Sequence, residues 1–302
     1  MKVSPDLALT LAAAVDTGSL EAAARALHLT QSAVSQRIAA LERLTGQVLL
    51  VRSRPVRATP SGEAVIRYAR QLEHLDEDLA HGLGLDTAAS APLRLAVNAD
   101  SLSTWLLPPL AQACAQLSIT VELLREDEAR TADLLARGEV LAAITTRSRP
   151  VPGCTVTGLG SMSYRAFATR DYMARWMPAG VTVDALAAAP VVDFDGSDDL
   201  QTRWLRSWSG DLAPPRHQVP SSSEFAQAIA LGMGWGMLVS ANPDGADLVD
   251  LGGPTIDVPL HWQQWRLAST SLRAVADALV AAARAELAAT PGRQVSSAPH
   301  TA

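Results

Sequence analysis

The stretch LEAAARALHLTQSAVSQRIAALE, residues 20–42, decides the fold of the N-terminal part of this 302-residue chain. Apolar residues recur at helical spacing over residues 20–27 and again over residues 31–44, where Gly46 ends the pattern. A further helical pattern, over residues 5–16, precedes them. Three short helices with a tight second turn predict a helix-turn-helix.

The third helix of this set has two distinct faces. At about 100° per residue, Ile38 and Leu41 fall within about 40° of Val34 and form an apolar stripe for the core. The opposite face consists of small or polar residues, namely Ser32, Ser35, Gln36, Ala39 and Arg43. Such a face suits the major groove of DNA, where glutamine and arginine make paired hydrogen bonds with base edges. The alternative is an ordinary solvated helix face.

A β-hairpin is predicted directly after the third helix. Residues 48–52 and 56–59 have strand character, and a short turn containing proline joins them. Arg52, Arg54 and Arg57 lie on or beside this hairpin. From there a wing can reach the neighbouring minor groove or the phosphates, so the sequence predicts a winged helix-turn-helix that binds double-stranded DNA.

Charge is unevenly distributed along the chain. The net charge is −6, but residues 25–70 contain eight arginines and two glutamates, a local charge of +6, so the rest of the chain sums to −12. A basic head on an acidic body is typical of a DNA-binding protein with a second domain.

Composition excludes several classes of protein. The chain is 48% hydrophobic and 19% charged, which is ordinary for folded globular proteins. No apolar run approaches the roughly 20 residues of a membrane span. Two cysteines are too few for a disulfide framework, and the histidines lack the spacing of metal ligands. We therefore expect a cytoplasmic protein without a membrane partner, a metal or a cofactor.

A long helix is predicted to follow the hairpin, with Pro60 in its first turn. Its apolar residues alternate at spacings of three and four, which predicts a coiled-coil seam that pairs two subunits: Val65, Tyr68, Leu72, Leu75 and Leu79. The alternative is an amphipathic helix that packs only on its own domain. Residues 82–92 have the composition of a linker.

Beyond the linker, strands and helices alternate, which predicts two α/β lobes. The predicted strands cover residues 93–97, 119–124, 140–145, 164–168, 191–194, 235–239 and 265–269. The predicted helices cover residues 106–117, 129–137, 172–176, 200–208, 224–231 and 271–287.

The predicted fold class is α/β with an α-rich head. Its domains are a winged helix-turn-helix (1–60), a dimerising linker helix and hinge (61–92), an effector-binding domain (93–290) and a disordered tail (291–302). Within the effector-binding domain, lobe I is predicted at residues 93–163 and 266–290, and lobe II at residues 164–265.

The stretch over residues 20–42, with VLLVR at 48–52 and RATPSG at 57–62, resembles the LysR-type transcriptional regulators. The resemblance implies a DNA-contacting part of the third helix comprising Gln31, Ser32, Ser35, Gln36 and Arg37, and wing contacts from Arg52 and Arg57. It also implies a two-lobed effector domain like a periplasmic binding protein, a homodimer that pairs into a dimer of dimers, and contact with RNA polymerase. Leu50 stands where many members carry phenylalanine, which affects packing more than DNA contact.

Four sequence segments of the body are similar to the ArgP/LysG branch of that family: AVNADSLSTWLL (96–107), PGC (152–154), DDLQ (198–201) and LGMGWGM (231–237). That branch senses lysine and arginine and controls the export of basic amino acids. The resemblance therefore implies L-lysine or L-arginine as the effector.

An effector site is predicted where the strands of the lobes end, because ligands of open α/β sheets bind at the carboxyl ends of strands. The candidate residues are Asn98, Asp100, Ser101, Ser103, Thr145, Thr146, Asp195, Ser222 and Glu224. Hydroxyl groups at helix starts suit a carboxylate, and the acidic side chains suit a cation. The alternative is that these serines and acids only cap their helices.

Three other functions stay open. The chain could be an architectural DNA-binding protein that needs no ligand, or a LysR-type regulator for a different effector. It could also be a binding protein or an enzyme whose α/β body does the work. No catalytic motif supports an enzyme, since GLGSM at residues 158–162 only approximates a nucleophile elbow.

Overall fold

A computed structural model describes residues 2–83, 92–125, 128–196, 198–210, 212–239, 247–267 and 269–288. The predicted tail and most of the predicted hinge lie outside the described residues. The helices are α1 (Pro5–Asp16), α2 (Leu20–Ala26), α3 (Gln31–Thr45), α4 (Pro60–Gly82), α5 (Ala99–Ser101), a π-helical turn (Leu102–Leu106), α6 (Leu107–Leu117), α7 (Glu128–Arg137), α8 (Arg170–Trp176), α9 (Val183–Ala188), α10 (Leu200–Arg206), α11 (Ser222–Ala230) and α12 (Thr270–Ala288).

The strands are short in the N-terminal part and longer in the body. They are β1 (Leu50–Val51), β2 (Arg57–Ala58), β3 (Leu93–Val97), β4 (Val121–Arg125), β5 (Ala142–Thr145), β6 (Cys154–Thr169), β7 (Val191–Asp193), β8 (Arg216–Gln218), β9 (Gly236–Val239), β10 (Leu248–Asp250) and β11 (Ile256–Trp265).

We call the helices α1 to α3 and the hairpin β1–β2 the head of the chain. Its helices begin and end at residues whose side chains or backbone favour a helix terminus. The Ser19 hydroxyl accepts a hydrogen bond from the Ala22 amide, and the Thr30 hydroxyl accepts one from the Ala33 amide, each at 3.1 Å. These caps satisfy amides that the helices themselves cannot bond. Gly46 ends α3 in the left-handed conformation, with φ +65°. The helix-turn-helix predicted from the sequence is confirmed.

The apolar stripe of α3 is the centre of the head. Val34 and Leu41 are fully buried and Ile38 is 3% exposed, and they pack in one cluster with Ala8 and Leu11 of α1. Burying each such side chain contributes about 1.5–3 kcal/mol relative to leaving it in water. The stripe therefore packs α3 against α1 and leaves the polar face of α3 directed outward.

The wing and the start of the linker helix share backbone contacts. Strands β1 and β2 pair antiparallel, which confirms the predicted hairpin. The Thr59 amide donates to the Leu49 carbonyl at 3.0 Å, and the Thr59 hydroxyl accepts from the Gly62 amide at 3.1 Å, which caps α4. A Cβ on Gly62 would lie 2.0 Å from the Leu49 carbonyl oxygen. Only glycine allows this close approach.

The described residues of the chain divide into two compact units. Unit 1 comprises Met1–Val97, Leu110–Thr157 and Trp262–Ala278, and unit 2 comprises Asn98–Pro109, Gly158–His261 and Leu279–Ala302. Unit 1 thus contains the head, the linker helix and part of the body, while β6 and β11 each contribute residues to both units. The predicted division into domains and lobes stays a prediction.

Within unit 1, β3 is paired in parallel with β4 on one side and with β5 on the other. The chain runs from β3 through α6 to β4, and then through α7 back past β3 to β5. The connections therefore reverse direction at β3. In open α/β sheets, the carboxyl ends of strands at such a reversal form the ligand crevice.

Unit 2 is built on an antiparallel arrangement. Strand β6 pairs with β9 and with β10, and β7 pairs in parallel with β8. The Arg216 guanidinium of β8 donates to the buried carboxylate of Asp193 in β7 at 2.8 Å. Trp204 and Trp235, both fully buried, lie with ring centroids 4.9 Å apart and fill the centre.

The predicted strand over residues 265–269 is wrong. Strand β11 ends at Trp265, and the Ser269 hydroxyl instead accepts from the Leu272 amide at 3.1 Å at the start of α12. Periodicity also did not predict the first part of β6, α9, β8, β10 and most of β11. Strand β11 contains Pro259, which cannot donate to a strand ladder and weakens the strand pattern.

Gly62→Ala should destabilise the head, because the new methyl group would collide with the Leu49 carbonyl rather than with a movable side chain. We expect a loss of about 3 kcal/mol, the upper range for overpacking a well-packed site. Gly46→Ala is the matched control. Nothing lies within 4 Å of its added Cβ, so only backbone strain of about 1 kcal/mol is expected. Urea unfolding of both variants measures the difference, and equal midpoints would contradict the argument.

Candidate nucleic-acid interface and ligand site

The outward face of α3 is accessible as the sequence predicts. Gln31, Ser32, Gln36 and Arg43 are exposed, and Ser35 is half-buried. Ser32, Ser35, Gln36 and Arg43 lie away from the buried stripe that anchors the helix, and Gln31 is exposed as its first residue. A glutamine and an arginine on such a face can each make two hydrogen bonds to a base. Which of these side chains contact DNA stays a prediction.

Arg37 has a role inside the head. Its side chain is half-buried, and its guanidinium donates to the Thr10 hydroxyl of α1 at 3.3 Å. Thr10 is itself fully buried and donates to the Asp6 carbonyl at 2.6 Å. This hydrogen bond connects α3 to α1, so Arg37 has a structural contact within the head whether or not it also reaches DNA.

The wing presents three free guanidinium groups. Arg52, Arg54 and Arg57 are exposed. Within the part of the chain that the structure describes, none of these three side chains has a hydrogen bond or an ion pair. Cations that are not neutralised within the protein are available for phosphates, whose contacts dominate the affinity of proteins for DNA.

The predicted ligand residues of unit 1 lie at the carboxyl end of β5. Thr145 is buried, and its hydroxyl accepts from the Arg147 amide at 3.2 Å. Thr146 is half-buried. Both residues follow the strand that lies beside β3, at the reversal of the sheet described above. The expected position at a strand end is thus confirmed for these two residues, while their contact with a ligand stays a prediction.

Three predicted ligand residues share one short segment of unit 2: Asn98, Asp100 and Ser101. The Tyr164 hydroxyl donates to the half-buried carboxylate of Asp100 at 2.6 Å. Burial raises the pKa of the Asp100 carboxyl, and the hydrogen bond from Tyr164 lowers it in part. The Asn98 side-chain oxygen and the Ser101 hydroxyl are buried without a hydrogen-bond partner in the described part of the chain. Buried polar atoms are rarely left unpaired, so these two atoms are candidates for ligand contacts, and that contact stays a prediction.

Two further candidate residues of unit 2 fit the capping alternative better. The Ser103 hydroxyl donates to the Asp100 carbonyl of its own helical segment at 3.2 Å. The Glu224 carboxylate accepts hydrogen bonds from the hydroxyls of Ser221 and Ser223, at the start of α11. These contacts are local. They stabilise the helix starts and occupy groups that the sequence assigned to a ligand.

The last two candidates differ from each other. The Ser222 hydroxyl is buried and without a partner among the described residues, as expected of a ligand contact. Asp195 lies in the loop after β7, where its carbonyl accepts from the Asp198 amide at 3.3 Å. The structure thus groups Asn98, Asp100 and Ser101 on one segment, whereas Ser222 and Asp195 belong to other elements of unit 2.

Sequence reasoning missed two residues at these positions. Tyr164 lies on a predicted strand, but its pairing with Asp100 is a contact between distant parts of the chain that periodicity cannot reveal. Arg147 follows Thr146 directly. Because Arg147 lies at the same strand end as Thr145 and Thr146, its position in the sequence is the signal that identifies it.

The linker helix is fastened to the body of unit 1 by two arginines. The guanidinium of Arg67 donates to the Ala136 carbonyl at 2.7 Å, and that of Arg70 donates to the Arg137 carbonyl at 3.2 Å. Both carbonyls belong to the last turn of α7, where a helix has no donors of its own. Arg70 also pairs with Asp16 of α1 at 2.6 Å. We call these hydrogen bonds of Arg67 and Arg70 the linker clasp.

Packing around the linker clasp is close. The Arg67 guanidinium lies 5.2 Å from the centroid of the Trp265 ring, within range of a cation–π interaction. A Cβ on Gly138 would lie 3.1 Å from the Arg67 side chain, so the turn after α7 approaches α4 as closely as glycine permits. One turn farther along α4, His74 is hydrogen-bonded to the Ser269 hydroxyl at 2.9 Å. The linker helix and this part of the body are therefore one packed structure.

A polar cavity of about 430 Å³ lies beside the linker clasp, between the wing, α4 and the turn after α7. Its lining residues are Val15, Val56, Arg57, Ala58, Glu63, Ile66, Arg70, Arg137 and Glu139. The positive and negative side chains in its wall nearly balance, which gives the cavity no clear preference for either charge.

Other kinds of site find no support in the described residues. No group of three or more histidine, cysteine, aspartate or glutamate side chains is placed to hold a metal ion there. Burial raises the pKa of the Cys154 thiol to about 12, so this thiol stays protonated at neutral pH and is not a nucleophile. No described helix has the length and apolar character that crossing a membrane requires.

Two family models match this sequence. The first, described as a bacterial regulatory helix-turn-helix protein of the lysR family, covers residues 6–63. The second, described as a LysR substrate binding domain, covers residues 87–288. Together they span the head and the body described above.

Individual proteins are similar over nearly the whole chain. The lysine export transcriptional regulatory protein LysG of Corynebacterium efficiens is 42% identical over 92% of this chain and 97% of its own. A crystal structure of ArgP from Mycobacterium tuberculosis has a TM-score of 0.86 at 36% identity, covering 94% of this chain and 98% of that one. Full-length LysG from Corynebacterium glutamicum with bound effector Arg has a TM-score of 0.79 at 39% identity, covering 93% and 98%.

Gln36→Ala and Arg57→Ala should affect DNA binding in different ways. Loss of Gln36 should remove about 1–3 kcal/mol of discrimination at one base pair, because its amide can read a base edge. Loss of Arg57 should weaken binding to all sequences and reduce the salt slope by about 1. Fluorescence anisotropy on specific and scrambled duplexes over a salt series separates the two effects. Arg170→Ala, in an exposed ion pair of unit 2, is the control. Equal loss on both duplexes for Gln36→Ala would contradict its assignment.

Asp100→Asn should raise the melting temperature at pH 7. Because burial raises the pKa of the Asp100 carboxyl, ionising it costs folding free energy. This cost appears as the pH rises above the ordinary pKa of an aspartate and is complete above the raised value, so the advantage of the asparagine variant should shrink as the pH falls. Asp257→Asn, an exposed aspartate that accepts from Ser163, is the control. A variant less stable than the wild type at pH 7 would contradict this reasoning.

Proposed function

The chain belongs to the LysR family of bacterial transcriptional regulators, and we propose that it regulates genes for basic amino-acid export or metabolism in response to L-lysine or L-arginine. The head binds DNA, and the body is the substrate-binding domain of that family. In this proposal the effector binds where the strands of the body end and changes how the head engages DNA.

The observation that carries the choice of effector is the cluster around Asp100. A half-buried carboxylate, the Asn98 side-chain oxygen and the Ser101 hydroxyl lie on one short segment, and the last two are buried without partners in the described residues. All three groups accept hydrogen bonds. An ammonium or a guanidinium group supplies only donors, and it would also offset the cost of burying the carboxylate. The relative from Corynebacterium glutamicum with bound effector Arg supports the same class of ligand.

The linker clasp supports an effect of the ligand on the head. Arg67 and Arg70 connect the linker helix to the end of α7, and β5, which follows α7, ends at Thr145 and Thr146. A ligand that favours one arrangement of the body can therefore favour one arrangement of the linker helix. Regulation of this kind requires that the ligand bind one of the two arrangements more tightly.

The linker helix also supports a homodimer. Tyr68, Leu75 and Leu79 are 38%, 38% and 60% exposed, and they are large apolar residues at seam positions. Val65 instead packs against the core of the head, which removes it from the predicted seam. We propose that the exposed part of the seam pairs two subunits, that dimers associate further, and that the assembly contacts RNA polymerase on DNA.

The proposal is tested by titrating the purified protein onto DNA from its own upstream region, with and without L-lysine, L-arginine and neutral amino acids. We expect the footprint or the affinity to change with one of the two basic amino acids and not with the neutral ones. Binding that ignores DNA sequence would favour an architectural protein. A response to another compound alone would favour a regulator for a different effector.

Replacing both arginines of the linker clasp by methionine should uncouple the head from the ligand. Methionine keeps an apolar stem of similar length but removes the donors to the end of α7. We expect the double variant to bind effector within about threefold of the wild type and to bind DNA, while the effect of effector on DNA binding falls. Arg94→Ala is the control, because it removes a surface ion pair with Glu122 in the same unit. A full response in the double variant would contradict the coupling.

A further inference from the structure

A single buried amide holds the loop that follows β5. Gln263 of β11 is fully buried. Its side-chain nitrogen donates to the carbonyls of Arg147 and Arg149 at 2.8 and 3.1 Å, and its side-chain oxygen accepts from the Val151 amide at 2.9 Å. Both donor hydrogens of the amide are used on backbone atoms of one loop. The loop after β5 thus takes its shape from a residue more than a hundred positions later in the chain.

Arg147 is the residue whose backbone this network fixes most completely. Its amide donates to the Thr145 hydroxyl at 3.2 Å, and its carbonyl accepts from Gln263 at 2.8 Å. The side chain is exposed, and the guanidinium has no hydrogen bond or ion pair with any residue that the structure describes. A rigid backbone therefore presents an unpaired cation.

The position of Arg147 is the carboxyl end of a parallel strand at a reversal of the sheet. It lies two residues beyond the end of β5, which pairs with the central strand β3. A ligand in a crevice at this strand end would lie beside the loop after β5. The planar guanidinium matches a carboxylate with two parallel hydrogen bonds, a geometry that serine hydroxyls cannot provide.

We propose that Arg147 binds the α-carboxylate of the effector and that Gln263 is the positioning residue that holds Arg147 in place. The inference rests on the proposed function and deepens it, because it assigns a residue to the anionic end of the amino acid. The effector is then a molecule with a carboxylate and a basic group, and a basic amine without the carboxylate is a poor ligand.

Calorimetric titration with L-arginine and with agmatine, its decarboxylated form, tests the role of Arg147. The wild type should bind L-arginine at least tenfold more tightly than agmatine. Arg147→Ala should weaken the binding of L-arginine about tenfold and leave that of agmatine nearly unchanged, so that the preference disappears. Arg149→Ala, an exposed arginine of the same loop, is the matched control and should keep the preference. A wild-type preference in Arg147→Ala would overturn the assignment.

Gln263→Glu tests the positioning role. Glutamate has the same shape but offers the two carbonyls an acceptor in place of a donor. The hydrogen bonds to the carbonyls of Arg147 and Arg149 should therefore be lost, and the loop should become more mobile. We expect faster amide hydrogen exchange over residues 146–151 and weaker binding of L-arginine, with agmatine affected less. Gln264→Glu is the control, because the Gln264 side chain accepts from the Trp262 indole at 2.6 Å and glutamate can do the same. Unchanged exchange and affinity in Gln263→Glu would overturn the role.

The two levels of the proposal fail in different ways. A wild type that binds neither L-arginine nor L-lysine overturns the proposed function and this inference together. A wild type that binds L-arginine while Arg147→Ala keeps the preference for it over agmatine overturns the inference alone. Arg147 is exposed, so its variant is expected to fold, and the test does not depend on the stability of Gln263→Glu.

Discussion

The connection between the DNA-binding head, the linker helix and the body of unit 1 depends on the linker clasp. The last carbonyls of α7 have no donors within their own helix, and Arg67 and Arg70 supply them from α4. A guanidinium near a helix C-terminus also favours the negative end of the helix dipole. Because Arg70 pairs with Asp16 as well, one side chain joins the head, the linker helix and the body of unit 1. The DNA-binding head therefore does not stand apart from the domain that reads the ligand.

Positive charge is concentrated in the head and negative charge in the rest of the chain. The basic head carries the arginines of the wing without partners in the described residues, whereas several arginines of the body, such as Arg216 with Asp193, are neutralised by acids. The head thus carries the net positive charge that attracts DNA at long range, while the chain outside residues 25–70 sums to −12.

The sequence predicts local structure well and distant contacts poorly. Helices α1 to α3 follow from periodicity and capping, and the resemblance to LysR-type regulators and to their ArgP/LysG branch is confirmed. The strand predicted at residues 265–269 is wrong, because Ser269 caps the start of α12 instead. Tyr164 and Gln263 act on residues far away in the chain, and no periodic pattern encodes such partners.

Strand β5 has a mechanical consequence. All four of its residues are buried, and it spans about 13 Å at the usual rise per residue. The turn held by the linker helix precedes it, and the loop held by Gln263 follows it. Dense packing on every side resists sideways displacement, since interiors have no spare volume. Pairing with β3 and the hydrogen-bonded loop at its end also fix the strand along its own axis, so β5 is a rigid connection between the turn after α7 and the loop that contains Arg147.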